Sequence, residues 1–165
     1  MKIGVPKEIK NHEYRVGLTP ESVAEISKNN HEVFIQKDAG LGIGFSNEAY
    51  QKAGATILNT PQELYDISEL IVKVKEPVPE EFQYLSNKHT VFAYLHLAGD
   101  PKTGLELAAT GVTGIALETV TADDGSMPLL SPMSAIAGQL SIVVGSYHLL
   151  KPNKGMGTLI GAFQD

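Results

Sequence analysis

The chain contains no cysteine, and this absence excludes several kinds of site. Disulfides, thiolate metal sites and cysteine nucleophiles cannot occur in its 165 residues. An excess of basic residues is also lacking, since 13 Lys and Arg stand against 19 Asp and Glu, for a formal net charge of −6. A nucleic-acid-binding domain normally presents a basic face, so the composition argues against that class of partner.

Long uninterrupted apolar runs are missing as well. Pro6, Lys7 and Glu8 interrupt the N-terminus too early for the apolar region of a signal peptide. The most apolar stretch, near the C-terminus, contains Gln139 and Ser141 and is too polar for a membrane span. We therefore expect a cytoplasmic protein without a membrane segment. Its hydrophobic fraction of 42% is sufficient to form a core.

Apolar runs alternate with helical segments along the first three quarters of the chain. Glu69–Val74, Thr90–Leu95 and Val112–Leu117 are near-continuous apolar runs, as is typical of strands buried on both faces. Shorter strands are predicted at Lys2–Val5, His31–Gln36 and Ala55–Leu58. Helices are predicted after Thr19 and Ser46, around Pro61–Tyr65, and over Pro101–Ala109. This rhythm predicts an α/β fold with an open, mostly parallel sheet and helices on both faces, of the flavodoxin or Rossmann type.

A long helix is predicted after residue 128. Ser131 is the expected cap and Pro132 the first helical residue, and Pro152 should end the helix near Leu150. Its apolar positions follow the spacing of one face: Met133, Ile136, Ala137, Leu140, Val143, Val144 and Tyr147. We therefore divide the chain into an α/β domain over 1–128 and a connecting helix with the start of a further domain over 129–165.

Four side chains with useful chemistry follow predicted strands. Arg15 lies in the loop after the first strand, and Lys75, His96 and Glu118 each follow a later one. In an open parallel sheet these positions share one edge, where ligands bind. A guanidinium and an ammonium can bind a carboxylate, and an imidazole can exchange a proton near neutral pH. The set suits a small 2-oxo acid.

Each of these residues also has an ordinary structural explanation. Arg15 could be a solvated loop residue, and Lys75 could belong to a surface charge cluster with Lys73 and Glu76. His96, between apolar neighbours, could be a hydrogen-bonded core histidine, and Glu118 could simply cap or pair. The residues alone leave these alternatives open.

No cofactor or metal site is recognisable in the sequence. The glycines at 40, 42 and 44, and those at 155, 157 and 161, lack the spacing of a dinucleotide fingerprint or a P-loop. The histidines show no metal-ligand spacing, so we expect no metal.

Several motifs together resemble one known family. They are MKIGVPKEIK at 1–10, ExRVGLTP at 13–20, KVKEP at 73–77, YLHLA at 94–98, Glu118-Thr119, PLLSPMS at 128–134 and Ala137-Gly138. This combination resembles the N-terminal part of alanine dehydrogenases and proton-translocating NAD(P) transhydrogenases. The histidine motif favours the alanine dehydrogenases, which are NAD-dependent oxidoreductases that interconvert L-alanine with pyruvate and ammonia.

The resemblance implies a role for each matching residue. Arg15 and Lys75 would bind the substrate carboxylate region, Lys75 also counting among the catalytic residues. His96 would act as acid/base at the reacting carbonyl oxygen, and Tyr94 would lie beside the pocket. Met133 and Ser134 would lie where the family's cofactor sits between its domains.

The end of the chain, AFQD at 162–165, is unlike the family's usual continuation into a cofactor domain. We therefore expect no tight NAD binding, no dehydrogenase activity of this chain alone, and weak pyruvate binding. We also expect self-association through the 131–150 helix. Two alternatives stay open: the N-terminal domain of a transhydrogenase α subunit, or a non-catalytic module that assembles with full-length subunits.

Overall fold

A computed structural model describes residues 1–161, which form two compact units. The first unit, Met1–Glu118, contains one six-stranded sheet in the order β3-β2-β1-β4-β5-β6. Every strand pair in it is parallel. The strands are β1 Lys2–Val5, β2 Glu32–Gln36, β3 Thr56–Leu58, β4 Leu70–Lys75, β5 Thr90–Tyr94 and β6 Thr113–Ala116. The predicted open parallel sheet is confirmed.

Helices connect successive strands, and local sequence signals explain where they begin. They are α1 Pro20–Lys28, α2 Asn47–Lys52, α3 Pro61–Ile67, α4 Pro79–Phe82 and α5 Pro101–Ala109. Thr19, Ser46 and Thr60 each accept a hydrogen bond from a backbone N–H in the first turn of the following helix. The short helix α4 was not predicted.

Two apolar clusters show that both faces of the sheet are covered. Val72 packs in one cluster with Val23 of α1 and Tyr50 of α2. Its neighbour Ile71 packs in the other with Leu64 of α3. Adjacent strand residues point to opposite faces, so helices lie on both sides of the sheet, as predicted.

The strand order puts the switch point between β1 and β4. The chain builds outward from β1 through β2 and β3, and then returns to add β4, β5 and β6 on the other side. In open α/β sheets a crevice forms at this point, beyond the carboxyl ends of the strands. The loop after β1 and the end of β4 therefore flank the position where this fold most often binds ligands.

A bulge interrupts β4 just before that edge. Val72 pairs with Phe92 and Lys75 pairs with Tyr94, so β4 has one more residue than β5 between these two pairs. Bulges are frequent next to functional sites, where they redirect side chains. Here the bulge places Lys75, rather than Val74, opposite Tyr94.

The second unit, which begins at Thr119, contains the helix α6 over Ser131–Leu149. Its extent agrees with the prediction, but the expected cap is wrong. Ser131 is the first helical residue, and its hydroxyl donates to the carbonyl of Met127 instead of accepting from the helix. The predicted apolar stripe does not contain all the apolar side chains of the helix. Ile142 lies outside it and is exposed, as are most residues of the stripe.

Within residues 1–161, no helix combines the length and apolar character needed to cross a membrane. Along the chain, the first compact unit ends at Glu118 and the second begins at Thr119. The functional division that we predict after residue 128 stays a prediction.

Candidate functional site

The loop from Pro6 to Thr19 is anchored on the end of β4. The Glu8 carboxylate accepts a hydrogen bond from the N–H of Val74 at 2.7 Å, and Lys10 pairs with Glu76. Gly17 lies so close to β4 that a Cβ there would be 2.5 Å from the carbonyl oxygen of Val72. These contacts fix the loop that carries Arg15 across the switch point.

Arg15 forms a bidentate ion pair with Glu13. Its Nε and Nη2 donate to the two carboxylate oxygens at 2.8 and 2.6 Å, and its backbone N–H donates to the same carboxylate at 2.9 Å. The pKa of Arg15 is raised chiefly by its hydrogen bonds with Glu13. Burial acts in the opposite direction, and the charges of Glu8 and Tyr94 raise the pKa further. The guanidinium is therefore charged and rigidly oriented.

Lys75 and Tyr94 join this pair at the sheet edge. The two residues are opposite each other in the β4–β5 register. The pKa of Glu13 is lowered chiefly by its hydrogen bond with Arg15, and the positive charge of Lys75 contributes. Glu13 therefore lies within electrostatic range of Lys75, and Arg15 within range of Tyr94.

His96 lies two residues beyond the end of β5, at the same edge. Its backbone is left-handed, with φ +48°, and its carbonyl accepts from the N–H of Gly99 at 2.9 Å. The imidazole lies against Gly99, where any Cβ would overlap its Nε2 and Cδ2 atoms. The ring is exposed, so the alternative of a buried core histidine does not hold for His96. His89 is the core histidine: it is buried, its Nδ1 accepts from Ser86 and its Nε2 bonds to the carbonyl of Tyr65.

Glu118 belongs to the last turn of the first unit and bonds to the β5 end. Its two carboxylate oxygens accept from the N–H groups of Leu95 and His96, at 3.2 and 2.7 Å. Glu118 thus caps the backbone N–H groups that follow β5. This is the structural role that the sequence left open for Glu118.

Met133 and Ser134 lie in the first turns of α6, in the second unit. Met133 is half-buried and Ser134 is exposed. Their suggested proximity to a cofactor stays a prediction.

A cavity of about 450 Å³ opens beside Arg15. It is lined by the loop after β1, from Lys7 to Arg15, and by residues that follow β2, including Asp38 and Leu41. Lys75, Tyr94 and His96 do not line it, so we base the candidate site on the cluster at the strand ends. Among residues 1–161 no group of His, Asp or Glu side chains is arranged to hold a metal ion.

Two residues of this edge were missed as candidates. Glu13 and Glu8 hold Arg15 and the end of β4, respectively, although neither was assigned a role. The separation of Glu13 and Arg15 by one residue was the available signal. Glu8 gave none, because its partners lie 65 or more residues away in the chain.

Comparison with known proteins agrees with this geometry. The family model described as "Alanine dehydrogenase/PNT, N-terminal domain" matches residues 4–137. The chain belongs to this family. The resemblance drawn from the motifs is therefore confirmed.

Several alanine dehydrogenases are similar to this chain. The chain is 47% identical to the alanine dehydrogenase of Mycolicibacterium smegmatis and 48% identical to that of Bacillus subtilis, over 98% and 97% of its own length. It covers 43% and 42% of those proteins, so it spans less than half of their length.

Two solved structures place the fold within the same family. An L-alanine dehydrogenase superposes with a TM-score of 0.87 at 44% identity, over 99% of this chain and 45% of that one. A transhydrogenase from Sinorhizobium meliloti gives 0.67 at 27% identity, over 72% of this chain and 35% of that one. The transhydrogenase is thus the more distant relative.

Proposed function

We propose that this chain forms the substrate-binding part of an NAD-dependent L-alanine dehydrogenase, which converts L-alanine, NAD⁺ and water to pyruvate, ammonium, NADH and a proton. The observation that carries the proposal is the placement of the Arg15–Glu13 ion pair, Lys75 and Tyr94 at the sheet edge where β1, β4 and β5 end. The likeness to alanine dehydrogenases supports the choice of substrate. Cytoplasmic location is part of the same proposal.

The cations would bind the carboxylate that alanine and pyruvate share. Arg15 offers a planar array of N–H donors and Lys75 a point charge beside it. Glu13 already engages Nε and Nη2 of Arg15, so it fixes the guanidinium and partly offsets its charge. A substrate carboxylate therefore depends on Lys75 for the remaining attraction. This makes Lys75 the more sensitive position for substitution.

His96 would handle the proton at the reacting oxygen. Removal of the amino group proceeds through addition of water to an imine and loss of ammonia, and each step moves a proton to or from oxygen or nitrogen. An exposed imidazole at the same edge can accept and return that proton. Tyr94, opposite Lys75, would form the wall beside it.

The residues of the first unit do not form a binding site for NAD⁺, the hydride acceptor. In this fold the turn between β1 and α1 normally receives a dinucleotide pyrophosphate. Here that turn carries the carboxylates of Glu8 and Glu13, and the Thr19 hydroxyl caps α1. We therefore assign only substrate binding and proton transfer to this unit, with Met133 and Ser134 as candidates beside the cofactor. We expect the chain alone to bind NAD weakly and to form no NADH from alanine.

Titration with pyruvate, followed by NMR, tests the proposed site. We expect millimolar binding that shifts the backbone signals of Arg15, Lys75 and His96. Lys75→Met should weaken this binding about tenfold, because one charge-assisted hydrogen bond is lost. Lys52→Met, an exposed lysine in the last turn of α2, is the matched control and should bind like the parent. Equal affinity of both variants would overturn the proposal.

A transhydrogenase N-terminal domain is the second candidate, because the family model covers both groups of proteins. It predicts no pyruvate-dependent shifts at His96. A non-catalytic module that joins full-length subunits is the third, and it predicts co-assembly with an intact alanine dehydrogenase.

A further inference from the structure

Two carboxylates bind consecutive backbone amides at the ends of neighbouring strands, Glu8 through one oxygen and Glu118 through both. Glu8 accepts from the N–H groups of Val74 and Lys75, at 2.7 and 3.4 Å. Glu118 accepts from those of Leu95 and His96, at 3.2 and 2.7 Å. In both places a carboxylate from another segment binds two consecutive amides, and the second amide belongs to a residue of the proposed site.

Both strand ends need such a partner. The bulge disturbs the β4 ladder just before Lys75, and Leu95 and His96 lie beyond the last residue of β5. Backbone N–H groups that lose their ladder partners are costly unless another acceptor is present. His96 also adopts a left-handed conformation, which is unfavourable for a residue other than glycine and persists only where the surroundings enforce it.

We propose that Glu8 and Glu118 are positioning residues that set the places of Lys75 and His96 through the backbone. The proposal rests on the proposed function, because it takes Lys75 and His96 as the groups that meet the substrate. Neither carboxylate needs to touch the substrate. Each fixes the direction in which the neighbouring strand leaves the sheet, and so the origin of the side chain that follows.

The two carboxylates differ in how safely they can be altered. Glu8 is buried and also pairs with Lys73, so its replacement risks the fold. Glu118 is only half-buried and is the better first target. Glutamine keeps the size of the side chain, but one carboxylate oxygen becomes an NH₂ group that cannot accept a hydrogen bond. Glu118→Gln therefore removes the charge and one of the two contacts.

The experiment compares amide signals and pyruvate affinity in a ¹⁵N-labelled chain. With Glu118→Gln we expect the amide protons of Leu95 and His96 to move upfield, while those of Val74 and Lys75 stay in place. With Glu8→Gln we expect the amide protons of Val74 and Lys75 to move upfield, because the charge of the acceptor is lost, while those of Leu95 and His96 stay in place. Each variant should weaken pyruvate binding by a factor on the order of three to ten, as expected for one hydrogen bond to a charged group. Glu106→Gln, an exposed carboxylate on α5, is the matched control and should leave both measurements unchanged.

The crossed pattern separates positioning from general damage, because a loosened fold would move both strand ends at once. If Glu8→Gln does not fold, Glu118→Gln decides the question alone. Parent-like signals at Leu95 and His96 in that variant would overturn the proposal, as would shifted signals with unchanged pyruvate affinity. If the parent chain binds no pyruvate while the signals move as expected, the proposed function fails and the backbone contact stands.

Discussion

At the scale of single residues, Gly99 determines where the imidazole of His96 can lie. The ring rests on the glycine, and a Cβ there would overlap three of its atoms. These atoms are at the free end of a side chain, so the ring can swing away while the backbone stays. We expect Gly99→Ala to leave the free energy of unfolding within about 0.5 kcal/mol of the parent value. Pyruvate affinity should nevertheless fall, and the ring signals of His96 should shift.

Gly104→Ala is the control for this substitution. Its Cβ would make only an ordinary contact with Leu97, 3.4 Å away, and it lies within α5. Alanine should stabilise this helix by about 0.5–1 kcal/mol and leave the His96 signals unchanged. If Gly99→Ala keeps the parent's ring signals and affinity, the packing of His96 on Gly99 is irrelevant to binding.

Two carboxylates of the same loop should affect stability with opposite dependence on pH. Burial is the main cause that raises the pKa of Glu8, whereas the hydrogen bond from Arg15 lowers that of Glu13, from a common ordinary value of 4.5. The folded chain therefore holds its Glu8 proton more tightly than the unfolded chain, so this contribution declines as pH rises above 4.5. The Glu13 contribution is present above 4.5 and is lost as pH falls through its lowered pKa.

Thermal unfolding as a function of pH tests these signs. Glu13→Gln should destabilise the chain most at neutral pH and least in acid. Glu8→Gln should reduce the decline in stability above pH 4.5. The assignment is wrong if the two variants change the pH profile in the same direction.

At the scale of elements, the bulged end of β4 rests on a buried charge network. The side chains of Lys73, Glu8 and Glu81 are only 1%, 2% and 6% exposed, and Lys73 bonds to both carboxylates, at 3.2 and 2.9 Å. Tyr65 donates a further hydrogen bond to Glu81 at 2.9 Å. Removing the single cation would leave two buried carboxylates without a counter-charge. We expect Lys73→Met to cost about 3–5 kcal/mol in denaturant unfolding.

Two comparisons show whether this loss is electrostatic. Lys88→Met removes an exposed lysine whose ammonium bonds only to the backbone of Asp66 among the contacts described, and it should cost under about 1 kcal/mol. Adding Glu8→Gln and Glu81→Gln to Lys73→Met should recover part of the stability, since the unpaired charges are then gone. No recovery would point to lost packing instead.

The same elements show how far sequence reasoning reaches. Five of the six strands lie within the predicted segments, and β4 ends one residue beyond its segment, because apolar runs and capping residues are local signals. Helix α4 was missed because Val78, before it, has no capping side chain; instead Glu81 reaches back to the N–H of Val78. The bulge and the role of Glu8 depend on contacts between distant segments, which no local pattern encodes.

At the scale of the whole molecule, the strand order explains why residues far apart in sequence meet. Arg15 follows β1 and Lys75 ends β4, and these strands are neighbours on the two sides of the switch point. The sequence predicted that both lie at one edge, but not that their strands are adjacent. Adjacency requires knowing that β4 returns to the middle of the sheet, and this is decided by packing of the whole unit.

Helix α6 leads to a prediction about assembly. Its side chains Ile136, Leu140, Val143, Val144 and Tyr147 are 50–65% exposed, so the second unit does not cover them by itself. Exposed apolar surface of this extent tends to be buried in a contact. We expect the 17.7 kDa chain to associate as its concentration rises, as measured by sedimentation velocity.

Leu140→Glu should weaken that association more than tenfold, because burial of one leucine contributes about 1.5–3 kcal/mol and a buried charge is costly. Gln139→Glu adds the same charge at the adjacent position, outside the predicted stripe, and should associate like the parent. A parent chain that sediments as a monomer at every concentration would contradict the prediction, and association of Leu140→Glu at the parent's strength would place the contact elsewhere.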